Sequence, residues 1–243
     1  MKTFALFDGA MAHGTVGSMP AFAAPDAPWF TTLMTQEATR LVGPALIDLA
    51  LFTSQCATFQ ADARKLVSAF PHELHVSMID TDDTLGLQEL AAHLRRFMHF
   101  GDGQGQSYGL RIADCRVLAY LPQVLTPDQW NALTAPMQRW RIHDRQGQAQ
   151  PLKLHEARLA SMPDAAALHL DADQIERLMD AGEADALLAA IDRPPEATHP
   201  SDIQRHFDLA SQCVERWRAG GGKDRGQLLA MARKTFDDGR KKP

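Results

Sequence analysis

The sequence predicts an α/β N-terminal lobe with a mixed sheet and flanking helices, followed by an all-α C-terminal lobe. Three observations support this fold class. Short apolar runs typical of strands alternate with helical periodicity up to about residue 155. Beyond that point the apolar residues recur only at helical spacing. Strands that alternate with helices favour at least partly parallel pairing, so we expect a mixed sheet.

The composition is that of an ordinary globular protein. The 243 residues are 45% hydrophobic and 23% charged, with a net charge of −5. This charge argues against a dedicated nucleic-acid binder, since only Arg240, Lys241 and Lys242 form a local basic patch. The longest apolar run, 46–52, is too short to span a bilayer, and the start of the chain lacks a signal-peptide pattern. We therefore expect a cytoplasmic protein without membrane insertion.

Three cysteines, Cys56, Cys115 and Cys213, are widely spaced and odd in number. This pattern fits neither a disulfide framework nor a CxxC metal or redox motif. We interpret them as buried free thiols in a reducing compartment.

The first elements of the N-terminal lobe follow from short apolar runs. Residues Thr3–Phe7 predict a strand, and Trp29–Gln36 predicts a short helix or strand. A buried central strand is predicted for Ala45–Phe52, a helix for Gln60–Ala69 and another strand for Leu74–Ile79.

The next stretch combines a helix with a glycine-rich hairpin. Residues Thr84–Arg95 predict a helix whose buried face carries four apolar residues, Leu87, Leu90, Ala91 and Leu94. The segments 97–100 and 107–112 predict two short strands around Gly101–Gly105.

A second helix and hairpin follow. Thr126, Pro127 and Gln129 predict a helix that opens with a capping box and ends before Pro136. The alternating segment 138–143 and a partner strand at 150–154 predict a last hairpin of the sheet.

The C-terminal lobe is predicted to be helical throughout. One helix opens at 171–174 and continues in two pieces separated by Gly182, a second runs from Ser201 to Trp217, and a third from Asp224 to Phe236. We place the boundary near residues 150–165, which gives an α/β lobe at 1–155 and a helical lobe at 156–243.

A structural ion-pair corner is predicted where the hairpin meets the next segment. Its members are Arg95, Arg96, Arg111, Asp114 and Arg116. Guanidinium groups pair bidentately with carboxylates, so we expect this network to fix the corner.

Several weak motifs in the right order together resemble the family called domain of unknown function 4123, over about residues 1–145. They are 4–10 (FALFDGA), 43–49 (GPALIDL), 93–97 (HLRRF), 110–118 (LRIADCRVL) and 125–129 (LTPDQ). The resemblance implies an α/β lobe followed by a more variable helical lobe, with the cleft between them as a binding cradle. Cys115 stands where proline is usual in the family, so the corner must be held without the fixed φ of proline.

Members of that family are adaptor chaperones of bacterial type VI secretion. The resemblance therefore implies a protein that binds a secreted effector and promotes its loading onto the VgrG spike, without an enzymatic reaction, a cofactor or a metal. Tryptophan and arginine are enriched at interface hot spots. Our candidate partner-binding residues are Arg139, Trp140, Arg141, Arg216, Trp217 and Arg218. Both tryptophans are equally compatible with a role in packing.

Two other classes of function stay open. A metal-dependent hydrolase would use the strand-end aspartates Asp8, Asp80, Asp82 and Asp83. An immunity-type inhibitor would neutralise a toxin. The glycine-rich segments lack the Lys-Ser/Thr pair of a P-loop, and neither HExxH nor GxSxG occurs. His72 and His75 are predicted to point to opposite sides of a loop-to-strand junction.

Overall fold

The computed structural model describes residues 1–11, 27–36, 42–55, 74–154, 168–191 and 200–240. The chain divides into two compact units, Met1–Ile175 and Glu176–Pro243. The first contains strands and helices and the second is helical, so the predicted fold class is confirmed. The boundary that we predicted near residues 150–165 falls largely on 155–167, outside the described residues.

Nine strands are described. They are β1 (Lys2–Asp8), β2 (Phe30–Thr32), β3 (Pro44–Asp48), β4 (Val76–Thr81), β5 (His99–Gly101), β6 (Ser107–Gly109), β7 (Arg139–His143), β8 (Ala149–Pro151) and β9 (Leu168–His169). A six-stranded sheet has the order β2-β3-β1-β4-β7-β8, and a three-stranded sheet has the order β6-β5-β9. The N-terminal strand β1 therefore lies inside the larger sheet, hydrogen-bonded on both sides.

All described pairings in the larger sheet are antiparallel. The predicted parallel pairing occurs only in the smaller sheet, between β5 and β9. A parallel pair requires a long connection, and here the chain between β5 and β9 contains the whole second hairpin.

Eight helices are described in the two units. They are α1 (Leu49–Gln55), α2 (Leu87–Arg95), α3 (Cys115–Leu118), α4 (Leu121–Val124), α5 (Pro127–Thr134), α6 (Ala172–Ala190), α7 (Pro200–Ala219) and α8 (Arg225–Arg240). The helix predicted at 60–69 lies outside the described residues. No helix in the described part of the chain has the length and apolar character needed to cross a membrane.

Two predicted elements were wrong. The strand predicted at Ala45–Phe52 ends at Asp48, because the Asp48 carboxylate accepts hydrogen bonds from the Ala50 and Leu51 amides and starts α1. The break predicted at Gly182 is absent, and α6 runs through it as one helix. A single glycine lowers helix stability without ending the helix when its neighbours support it.

The larger sheet is buried on both faces. Phe4, Leu6 and Ile79 are fully buried on one face, as is Trp140, whose ring stacks on Trp130 of α5 at a centroid distance of 6.2 Å. The other face is covered by a hydrophobic cluster that includes Phe7, Trp29, Phe30, Ile47 and Phe52. The predicted face of α2 is buried as expected.

The helical unit has its own core. Residues from α6, α7 and α8 pack together, including Leu187, Ile191, Val214, Leu228 and Phe236. The packing of this cluster positions the side chains that line the surface between α6 and α8.

Candidate functional site

Three members of the predicted corner, Arg111, Asp114 and Arg116, are joined by ion pairs, and Asp8, which we had not assigned to the corner, joins them. Asp8, the last residue of β1, is 3% exposed and accepts two hydrogen bonds from the Arg111 guanidinium, at 2.8 and 3.2 Å. Its other oxygen accepts the amides of Ala10 and Met11. Every acceptor direction of this carboxylate is therefore used within the fold.

Asp114 completes the corner at the start of α3. Its buried carboxylate accepts the Arg116 amide and a bidentate pair of bonds from the Arg116 guanidinium. The Arg111 guanidinium also lies 3.5 Å from Asp114 and so bridges the two aspartates. Two carboxylates and two guanidinium groups balance in charge, which suits a structural junction better than a proton-transfer site.

Two hydrogen bonds hold Cys115 at the position where the family usually has proline. Its amide donates to the Leu74 carbonyl at 3.0 Å, and its thiol donates to the Val76 carbonyl at 3.3 Å. Leu74 adopts a left-handed backbone with φ of 60°, which aims its carbonyl at this amide and is unfavourable for leucine. Burial raises the pKa of the Cys115 thiol to about 12, so the group is not a ready nucleophile at neutral pH.

The two arginines that precede the hairpin, Arg95 and Arg96, make contacts of different kinds. Arg95 donates to the carbonyls of Thr32 and Leu33 at the edge of β2, away from the corner. Arg96 lies over the ring of Phe97, 5.6 Å from its centroid. Placing Arg95 in the ion-pair corner was thus a wrong prediction, because its guanidinium serves the sheet edge.

The strand-end aspartates do not converge. Thr3 of β1 is opposite Asp80 of β4, so Asp8 and Asp80 lie at opposite ends of this antiparallel pair. Asp80 is 1% exposed and binds Thr3 and Arg141, while Asp82 caps the turn at Thr84. Asp83 pairs with the N-terminal amino group. Throughout the described ranges, no group of three or more histidine, cysteine or acidic side chains is arranged to hold a metal ion.

The histidines show no shared site in the described part of the first unit. His75 is buried, and His72 lies outside the described residues. His93 is buried in α2, where its Nε2 contacts the Leu133 carbonyl at 2.7 Å. Burial lowers the pKa of His93, which favours a neutral ring that donates from Nε2.

The candidate partner residues on β7 separate onto two faces. Trp140 is 0% exposed, and its indole N–H donates to the Ser77 hydroxyl at 3.0 Å. Arg139 and Arg141 lie on the opposite face, where both approach the buried Asp80, at 3.8 and 3.1 Å. Trp140 is therefore a core residue in this structure, and only the two arginines are accessible.

The candidates on α7 are more accessible. Trp217 is half-buried against the core of the helical unit, and Arg216 is exposed. Arg218 pairs with Asp180 at 2.6 Å and also with Glu183. Gly222 lies against the indole, where a Cβ would clash with the Trp217 ring.

The sequence did not reveal a groove between α6 and α8. It has a volume of about 160 Å³ and is lined by Glu183, Ala186, Leu187, Ala190, Arg225, Leu228 and Leu229. The small side chains of α6 leave room beside the leucines of α8. An exposed methionine, Met179, lies about two helical turns before Ala186 on the same face. The only local sign of this groove in the sequence was that alanines recur beside the apolar face of α6.

Comparison with known proteins adds one finding. A family model described as a domain of unknown function (DUF4123) matches residues 3–132. No curated protein and no solved structure matches the chain. The matched region includes β1 from Thr3 onward, the strands β2 to β6 and the ion pairs of Asp8, Arg111, Asp114 and Arg116.

Proposed function

Because this chain belongs to the domain of unknown function 4123 family, we propose that it is a cytoplasmic, non-catalytic adaptor chaperone for type VI secretion. It binds an effector and promotes the loading of that effector onto the VgrG spike. The observation that carries the proposal is that three buried aspartates are each paired with an arginine, in the region that the family model matches or just beyond it. These aspartates are Asp8, Asp80 and Asp114. Carboxylates that are paired with arginines in this way stabilise the fold. A stable fold that presents a binding surface suits an adaptor.

The groove between α6 and α8 is the surface that we assign to effector binding. Its leucines and alanines can bury an apolar side chain of the effector, and Glu183 and Arg225 supply a polar rim. The ion pair between these two residues, at 3.5 Å, involves a 73% exposed arginine and is therefore easily rearranged. Exposed Met179 extends the apolar surface with an adaptable side chain.

The first test is an affinity pull-down of the tagged full chain from its native cells during active secretion. Mass spectrometry should identify a toxin-like effector together with a spike protein. Deletion of the gene should abolish export of that effector and leave export of unrelated effectors intact. Recovery of neither partner under these conditions would contradict the proposal.

A matched pair of variants tests the groove. Ala186→Glu places a carboxylate in the groove, whereas Ala189→Glu places the same group on an exposed position of the same helix outside it. We expect the first variant to weaken effector binding about tenfold or more and the second to leave it unchanged. Equal effects of the two would remove the groove from the binding surface while leaving the adaptor function intact.

The same experiments separate the other functional classes. An immunity protein would suppress the activity of the toxin in a purified mixture, and its loss would leave export unchanged. A hydrolase that uses Asp8 or Asp80 would lose its activity on conversion of either residue to Asn, with effector export unaffected. An adaptor does not suppress the toxin in a purified mixture, and its loss abolishes export of the effector.

A further inference from the structure

Three of the four described sheet edges are blocked against pairing with another strand. An exposed edge strand offers unpaired N–H and C=O groups, and proteins usually block it. On β2, the outward carbonyl of Thr32 accepts a 2.7 Å bond from Arg95. On β8, Pro151 removes an outward N–H. On β9, the outward carbonyl of His169 accepts a 2.7 Å bond from the Gln129 side chain.

The fourth edge, β6, has no such device among the described residues. The Asp102 amide donates to the Gln106 carbonyl and the Leu110 amide donates to the Met98 carbonyl, so residues 106, 108 and 110 face β5. The backbone groups of Ser107 and Gly109 therefore point away from the sheet. All three residues of β6 are exposed, and residues 103–110 include neither a charged residue nor a proline.

The side chains of β6 suit a close neighbour. Tyr108 is 44% exposed, stacks on Phe100 at 5.3 Å, and donates to Asp102. These contacts hold its ring in place before any partner arrives. A Cβ at Gly109 would meet nothing within 4 Å, and the φ of Gly109 is not positive, so the fold itself does not require glycine there.

We propose that β6 pairs with β6 of a second copy of this chain, antiparallel about a two-fold axis at Tyr108. Ser107 of each copy then faces Gly109 of the other, and the two outward N–H groups and two outward C=O groups of each strand find partners. The two Tyr108 rings become a cross-strand pair beside the two Phe100 rings. Residues 103–110 are uncharged, so no like charges oppose one another within this strip.

A second copy is the occupant to which we assign this edge, because every copy carries the same unblocked and uncharged strip at 103–110. As for any strand paired antiparallel with itself, its donors and acceptors match under two-fold rotation, and the small residues Ser107 and Gly109 permit close approach on the other face. The contact is small, so association is weak and depends on concentration. This inference does not rest on the proposed adaptor function.

The test measures the sedimentation of the full chain from about 10 µM to about 1 mM. Ser107→Pro removes the outward N–H and leaves the bonds to β5 intact, whereas Ser107→Ala changes the side chain and keeps the N–H. We expect wild type and Ser107→Ala to form dimers as concentration rises. Ser107→Pro should associate at least about tenfold more weakly, because each dimer loses two hydrogen bonds.

Hydrogen exchange on the wild type gives an independent readout. The Tyr108 amide is protected by β5 at every concentration, while the Ser107 and Gly109 amides should become protected only as dimers form. This measurement decides the question even if Ser107→Pro fails to fold. A wild type that stays monomeric, or a dimer that leaves the Ser107 and Gly109 amides unprotected, overturns the proposal.

Discussion

Arg111 donates two hydrogen bonds to Asp8, a residue 103 positions earlier in the chain. Replacing Arg111 with Met leaves a buried carboxylate without its cation, and we expect a loss of about 2 kcal/mol in the free energy of unfolding. The loss is smaller than for a fully buried pair because the arginine side chain is 50% exposed. Arg111→Lys should be intermediate, since it keeps the charge but not the planar fork.

Urea denaturation of these variants is the measurement, and Arg139→Met is the matched control. Arg139 lies 3.8 Å from Asp80 and is 56% exposed, and Asp80 keeps Arg141 and Thr3 as partners. Its removal should change stability by about 0.5 kcal/mol or less. Equal losses for the two arginines would show that the corner is no more important than a surface pair.

The Cys115 thiol should resist alkylation in the folded protein. It is 1% exposed, and burial raises its pKa to about 12, so almost no thiolate is present at pH 8. Iodoacetamide labelling followed by peptide mass spectrometry should leave Cys115 unmodified in buffer and modify it fully in urea. Rapid labelling in buffer would show that the corner opens or that the thiol is ionised.

Acidification should destabilise the protein through His93. Burial holds the pKa of His93 below its ordinary value of 6.5, so the unfolded state binds the proton more readily than the folded state does. The stability that depends on the neutral ring is complete above about pH 6.5 and is lost as the pH falls below it, until the folded ring is protonated too.

His93→Gln tests this contribution, because the glutamine amide can still donate to the Leu133 carbonyl and does not titrate. Urea midpoints measured between pH 8 and pH 5 should fall less for this variant than for wild type. Parallel curves for the two proteins would exclude His93 as a source of the pH dependence.

Two glycines in the helical unit should respond in opposite directions. A Cβ at Gly222 would clash with the Trp217 ring, which is packed against the core, so Gly222→Ala should destabilise this unit by about 1–3 kcal/mol. A Cβ at Gly182 would meet nothing within 4 Å, so Gly182→Ala should stabilise α6 by about 0.5–1 kcal/mol. Thermal unfolding followed by tryptophan fluorescence measures both, and effects of the same sign would contradict the packing.

Local chemistry accounts for the elements that were predicted well. Thr126 and Gln129 form the expected reciprocal cap of α5, with bonds of 3.3 and 2.9 Å. Helical spacing correctly gave the buried face of α2. The strand predicted over Ala45–Phe52 failed because Asp48 can either continue an apolar run or cap a helix, and only its contacts decide.

The candidate site depended on contacts that are distant in sequence. The pairing of Asp8 with Arg111 has no local signature, so Asp8 was assigned to a possible metal site instead. Alternation along β7 places Trp140 opposite to Arg139 and Arg141, but it does not show which face is covered. Burial of Trp140 against Ser77 and Trp130 answers that question only in three dimensions.

The central position of β1 has a consequence for synthesis of the chain. β1 is an interior strand of the larger sheet, and both of its partners, β3 and β4, are made after it. Arg111, which binds the end of β1, follows Asp8 by 103 residues, or roughly 5–20 s of translation. Until β3 and β4 have been made, within that interval, the apolar strand β1 has both hydrogen-bonding edges open. The β1 segment is therefore exposed to premature association, and any delay in elongation before β4 prolongs that exposure.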